Sequence, residues 1–393
     1  MDRDDNHRIQ NHTGRPVEGH DFFGRERFIA MMLEDVQTAN LLLLAPRRVG
    51  KTSVLKKIRV KARANGRLVA FTDVSDVVDE LGFIEALLDA VVRERGPGVL
   101  ERLKASPLGD ALKHVKEVGA GPIRFSLASK DTGWRTLGEQ LAASLLDLER
   151  LLIVAIDELP VMILELLKRP DGETRVRQFL NWFRKVRLSQ QNVRWILSGS
   201  IGLDTVTQIH NLQSTINDLT IVSLEAFDVE TADRFLARLG WSYDVQMPQP
   251  VRDAIIERLG WPLPYFLQLV FYELRRQNQA PDLDAVDAAL TTLVAHRRHY
   301  FENWHQRLEE QLGDVRAGHA AVLLSACANA QGASRDTLIQ ALHAQIPETS
   351  ARRKALDFTL WVLANDGYLV EVGSRFLFRS PLLRDWWRRY HHG

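Results

Sequence analysis

Apolar residues along this chain fall into two patterns. Short, mostly apolar runs stand at 41–44, 68–73, 151–156, 193–200 and 219–224. Between them lie longer stretches with helical spacing. A continuous apolar run marks a strand buried on both faces, as in a parallel sheet. Helices are expected around Phe28, Met31, Met32 and Val36, then at 51–65 with Gly66 as a stop signal, at 81–95 and at 173–189. An insert over 99–150 should hold a helix (99–116), a Gly-Pro turn (119–122), a short strand (123–127) and a helix (134–149). In that last helix Leu137, Leu141, Leu145 and Leu148 have core spacing. Strands alternating with helices predict a doubly wound, mostly parallel sheet.

After residue 226 the strands stop. Helical patterns cover 228–240, 249–259, 264–277 and 282–295. Three more, at 315–328, 334–342 and 350–364, precede two short apolar runs at 368–372 and 375–379. Gly373-Ser374 between those runs is a hairpin signal, and three helices plus a hairpin make a winged helix. The expected organisation is a flexible polar N-terminus (1–19), an α/β core (20–225), a helical lid (226–298) and a winged-helix domain (299–393).

The first strand ends in the stretch that carries the chemistry. Ala45-Pro46-Arg47-Arg48-Val49-Gly50-Lys51-Thr52-Ser53 leads from strand to helix in the order of a P-loop nucleotide site. Backbone N–H groups of such a loop and of the following helix N-terminus face phosphate oxygens. Lys51 would reach the β- and γ-phosphates, and the Thr52 hydroxyl would ligate Mg²⁺. Ala45 departs from the motif, which opens on Gly; a methyl is the smallest possible addition. At the end of the 151–156 run stand Asp157 and Glu158. Carboxylates there project into the crevice where ligands sit. Asp157 would hold Mg²⁺, directly or through water, and Glu158 would orient and deprotonate the attacking water. The next strand ends near Ser198 and Ser200, either of which could stand near the γ-phosphate. The fold class is thus an α/β P-loop core with a helical lid and a C-terminal winged helix, with ATP and Mg²⁺ as the implied cofactors. Phe23-Gly24-Arg25, just upstream, is placed to form part of an adenine pocket, or simply a helix start with a hydrophobic staple. In Gly260-Trp261-Pro262, Pro262 either makes a helix–helix turn or faces the nucleotide base from the lid.

Composition changes this picture little. The chain has 393 residues, 51 basic against 50 acidic, and a net charge of +1. Nucleic-acid binding would therefore need a local basic patch. Ser350-Ala351-Arg352-Arg353-Lys354, at the start of the third C-terminal helix, is such a candidate, although a solvated helix end explains it equally. The single cysteine, Cys327, lies in an apolar helix and reads as core. No apolar run approaches the roughly 18 residues of a membrane span. With a polar N-terminus lacking a signal-peptide pattern, the expected location is cytoplasmic.

On the residues Phe23-Gly24-Arg25-Glu26, Ala45 to Ser53, Asp157-Glu158-Leu159-Pro160, Ser198-Gly199-Ser200, Gly260-Trp261-Pro262 and 378–387, the chain resembles the P-loop ATPases of the AAA+/STAND group. The closest likeness is to the archaeal-type ATPase clade and its bacterial relatives. The resemblance implies an ATPase that acts as a switch or regulator, with a protein partner or self-association. Ring-forming motors of the wider group carry an arginine finger within the stretch matching 200–220, which holds no Arg here. They also carry a lid arginine where this chain has Leu263. A finger can be worth about 10³–10⁵ in rate. Arg47 and Arg48 could compensate in part, contact a neighbour, or lie in solvent. A slow switch between ATP and ADP states is the leading expectation. The alternatives are a DNA-binding initiator or loader using the winged helix on duplex, and a protein-docking module through the aromatic tail Trp386, Trp387 and Tyr390.

Overall fold

Leu41, Leu42 and Leu43 are buried on strand β1 (Asn40–Leu44), which has a paired strand on each side. The computed structural model describes residues 7–95, 133–146, 151–199, 202–277 and 280–391, which separate into two compact units. The core unit comprises Arg25–Leu44 and Lys51–Leu224; the C-terminal unit comprises Met1–Gly24, Ala45–Gly50 and Glu225–Gly393.

The core unit holds α1 (Glu26–Asp35), β1, α2 (Lys51–Ala64), β2 (Leu68–Asp73), α3 (Glu80–Arg95), α4 (Trp134–Leu146), β3 (Leu152–Asp157), α5 (Leu159–Leu167), α6 (Gly172–Ser189), β4 (Val193–Ser198), α7 (Leu203–Ile209) and β5 (Leu219–Ser223). The sheet order is β2-β3-β4-β1-β5, every pair parallel. This is the expected doubly wound sheet, and every residue of β3 is buried. On one side the sheet packs on aromatic residues. Phe83 meets Phe179 edge-on at 4.9 Å, and Phe183 meets Trp195 at 5.0 Å. Each such ring contributes about 1.5–3 kcal/mol by leaving water.

Two helices differ from expectation. No helix was anticipated over α5, whose residues are apolar almost all round, so no amphipathic period marks it. The short α7 has no signal of its own, and β4 stops at Ser198. In the insert, α4 matches the expected helix and buries Leu137, Leu141 and Leu145. The helix at 99–116, the turn, the strand at 123–127 and Leu148 lie outside the described residues.

The C-terminal unit contains α8 (Val229–Ser242), α9 (Gln249–Leu259), α10 (Pro264–Arg275), α11 (Leu283–His296), α12 (His299–Asn329), β6 (Ala333–Ser334), α13 (Arg335–Ala341), α14 (Thr349–Asn365), β7 (Leu369–Val372), β8 (Arg375–Phe378) and α15 (Pro381–Tyr390). From the second half of α12 onward, α12, α13 and α14 accompany a three-stranded antiparallel sheet β6-β8-β7. Gly373 turns the hairpin with φ 61°. α12 begins earlier than the pattern indicated, because Phe301, Trp304, Leu308 and Leu312 are sparse among polar residues. Gly313 breaks its helical geometry at φ 69°, ψ 165°.

Three stretches are placed by their contacts. Of the stretch expected to be flexible over 1–19, residues 8–11 are hydrogen-bonded within the C-terminal unit. The Ile9 amide donates to Ser242 Oγ (2.9 Å), the Asn11 amide to the Tyr243 hydroxyl (2.8 Å), and Asn11 Nδ2 to the Gln268 carbonyl (3.0 Å). These bonds fix a polar segment that has little apolar surface of its own. Next, Trp386 and Trp387 are both fully buried, so the core role expected for at least one of them extends to both, and neither offers a docking face. Lastly, Arg352 is not available at the start of α14, as described below. Cys327 is buried on α12, and burial pushes its thiol up to about 12. It should therefore resist a maleimide in the native protein and react only after denaturation; rapid native labelling, followed by mass, would contradict this packing.

Candidate functional site

The core unit gathers its chemistry on one carboxylate. Asp157 ends β3 with no exposed surface. The Thr52 hydroxyl, from the first turn of α2, donates to its Oδ2 at 2.7 Å. The Ser198 hydroxyl, from the end of β4, donates to its Oδ1 at 2.5 Å, and the Glu158 amide to the same oxygen at 3.1 Å. β3 and β4 are adjacent parallel strands, so their C-terminal ends lie side by side. A buried carboxylate without such donors would cost several kcal/mol. Of the two serines, Ser198 is thus the one held on Asp157; Ser200 lies outside the described residues. Lys51 and Ser53 are buried in the same first turn of α2.

Hydroxyl and carboxylate oxygens are hard donors that suit Mg²⁺, which takes one or two carboxylates and completes its shell with phosphate oxygens and water. Thr52 and Asp157, already bonded to each other, fit that donor set. Glu158 follows Asp157 in the left-handed region at φ 60°. A non-glycine residue there carries roughly 1–2 kcal/mol of strain, and such strain gathers at functional sites.

The loop between β1 and α2 divides differently from its flanks. Ala45–Gly50 belongs to the C-terminal unit, whereas Leu44 and Lys51 belong to the core. Arg48 is left-handed at φ 65° and Gly50 at φ 103°. Within the C-terminal unit, an Arg47 guanidinium nitrogen donates to the Asn303 carbonyl at 3.2 Å. The Arg48 guanidinium stands 4.6 Å over the Tyr265 ring. Pro46 is buried against Gly367, where a Cβ would stand 3.1 Å from Pro46 Cβ and 2.5 Å from the Trp261 ring. Asn303, Tyr265 and Gly367 carry no sequence motif. A carbonyl, a ring face and a missing side chain can be recognised only once the chain is folded.

Phe23 and Pro262, the two adenine-pocket candidates, meet around Phe227. Phe23 packs on the Phe227 ring at 6.5 Å and on Phe235 at 5.4 Å, and the Phe227 amide donates to the Pro262 carbonyl at 3.2 Å. Gly24 has φ 70°, and a Cβ there would stand 2.5 Å from the Thr231 methyl. Arg25 is the N-cap of α1 in the core unit. Trp261 turns into the C-terminal unit, edge-on to Trp304 at 6.2 Å, with the Arg379 guanidinium 5.5 Å over its ring.

The basic start of α14 is weaker than its sequence suggests. Arg352 is buried, donating to the Pro347 carbonyl at 2.9 Å and lying 2.7 Å from His343 Nδ1. Only Arg353 and Lys354 stand exposed there, and Glu348, bonded to the Ser350 amide, adds a carboxylate at the same helix end. Three consecutive cations thus become two beside an anion.

No family model and no curated protein matches the chain. Its fold is shared with two solved structures. The Walker-type ATPase of Pyrococcus abyssi superposes with a TM-score of 0.59 at 20% identity, over 95% of this chain and 99% of its own. The ORC2 protein of Aeropyrum pernix, solved as ADPNP–ADP complexes, gives 0.54 at 13% identity, over 98% and 95%. No helix among the described residues is long and apolar enough to cross a membrane.

Proposed function

We propose that this chain is an ATP-binding, slowly hydrolysing regulatory ATPase that couples its nucleotide state to the position of the lid and the winged helix. The observation that carries this is Asp157, buried at a strand end and accepting hydrogen bonds from Thr52 and Ser198. In this reading Lys51 and the loop amides from Ala45 to Gly50 bind the phosphates, and Thr52 and Asp157 hold Mg²⁺. Bound Mg²⁺ would neutralise charge on the phosphates. Glu158 takes the proton of the attacking water, and Ser198 fixes the Asp157 carboxylate. Phe23, Gly24, Arg25 and Pro262 supply the base pocket. The Aeropyrum pernix protein, of like fold, was solved with ADPNP and ADP, which supports an adenine nucleotide here. Slow turnover is inferred from the absence of Arg in 200–220 and from Leu263 in the lid.

The test is nucleotide binding by calorimetry in the presence of Mg²⁺. Lys51→Ala, which removes the cation facing the phosphates, should weaken ATP binding by at least about tenfold, in line with a lost charge-assisted bond. A wild-type protein that binds no nucleotide would overturn the proposal.

A further inference from the structure

Three consecutive residues of the phosphate loop touch three different elements of the C-terminal unit. Pro46 meets Gly367, at the turn between α14 and β7; Arg47 bonds the Asn303 carbonyl on α12; Arg48 covers Tyr265 in the first turn of α10. These elements are themselves joined. The Tyr368 hydroxyl donates to the Trp304 carbonyl, and Trp304 packs on Trp261 and Phe266. The loop thus contacts a carbonyl, a glycine and a ring that all border one connected set of buried aromatic residues, Tyr265 joining it through Phe266. Two of the gripped residues are cations beside the place where phosphate would bind.

From this we infer that Arg47 and Arg48 are the reporters through which the C-terminal unit senses a γ-phosphate, exchanging Asn303 and Tyr265 for phosphate oxygens when a nucleoside triphosphate binds. This rests on the loop being a nucleotide site. A guanidinium over a ring, or on a neutral carbonyl, is held less strongly than one in a charge-assisted bond to phosphate. A triphosphate therefore draws the arginines away, and a diphosphate, lacking the terminal group, leaves them in place. Burial holds the Tyr265 hydroxyl up at about 12, so the ring stays neutral at working pH. Linkage makes the exchange reciprocal. Whatever weakens the grip must favour the triphosphate over the diphosphate.

The experiment compares Kd values for a non-hydrolysable ATP analogue and for ADP, with Mg²⁺, in wild type, Tyr265→Leu and Tyr265→Phe. It adds backbone hydrogen exchange of wild type over 299–312. Tyr265→Leu should shift the ratio of the two Kd values toward the triphosphate by about two- to tenfold, the worth of one cation–π contact. Tyr265→Phe, which keeps the ring face, should keep the wild-type ratio. Exchange over 299–312 should rise with the ATP analogue and not with ADP. If Tyr265→Leu does not fold, the exchange result decides alone. An unchanged ratio, a Phe variant that behaves like Leu, or exchange that answers equally to both nucleotides would overturn the inference while leaving the nucleotide site intact. Failure of wild type to bind either nucleotide would overturn both together.

Discussion

Glu158→Gln should bind ATP about as well as wild type and lose turnover by about 10²–10⁴-fold, the range for removing a general base. The substitution is close to isosteric. It exchanges a proton acceptor for an amide that cannot take a proton at neutral pH. It also leaves the backbone as it was. Glu158 sits at φ 60°, where Gln is strained to the same degree as Glu, so the Glu158 amide remains on Asp157 Oδ1. Thr52 and Ser198 keep their shared carboxylate as well. Binding and hydrolysis therefore separate in this variant. Phosphate release and equilibrium binding, measured on one preparation, check it. Full turnover by Glu158→Gln would remove Glu158 from the chemistry and leave the Asp157 cluster as a binding device only.

Trp386→Ala should cost about 3–5 kcal/mol of stability in the C-terminal unit, as a large ring is lost from a packed core. Trp386 has no exposed surface; Phe301 stacks on it at 5.8 Å, and Trp387, Tyr390 and His391 surround it. Its indole nitrogen has no hydrogen-bond partner, so the cost is one of packing and cavity alone. Trp386→Phe should accordingly recover much of the loss. Trp387 differs, since its nitrogen donates to Ser325 Oγ at 3.2 Å, and a Phe there also sacrifices a bond. Urea titration followed by far-ultraviolet circular dichroism distinguishes the cases. A Trp386→Ala midpoint equal to wild type would mean that the tail is not part of the core.

What the sequence disclosed, and what it hid, follows from the range of each interaction. β1 and β3 were legible because a strand buried on both faces is apolar along its whole length. Thr52 and Asp157 were legible because a helix start and a strand end fix where those side chains go. The helix α5 was hidden by the same apolarity that buries it, since a helix without a polar face has no period. Arg352 misled because it looks like a surface cation, whereas its guanidinium closes the turn at Pro347 and His343. The bonds of residues 9–11 to Ser242, Tyr243 and Gln268 could not be read from their polar composition. The partner of Arg47 could not have been found by pattern at all: it is a main-chain oxygen 256 positions away.

That distance also orders events during synthesis. Chains emerge from the ribosome at about 5–20 residues per second, and domains fold as their residues appear. Lys51, Thr52, Asp157 and Ser198 all precede the segment that grips the loop. With Asn303 lying 256 positions after Arg47, the loop waits roughly 13–50 s for its acceptor at those rates. The grip is thus a late event in the life of each molecule, acquired only as α10, α12 and the turn at Gly367 are completed.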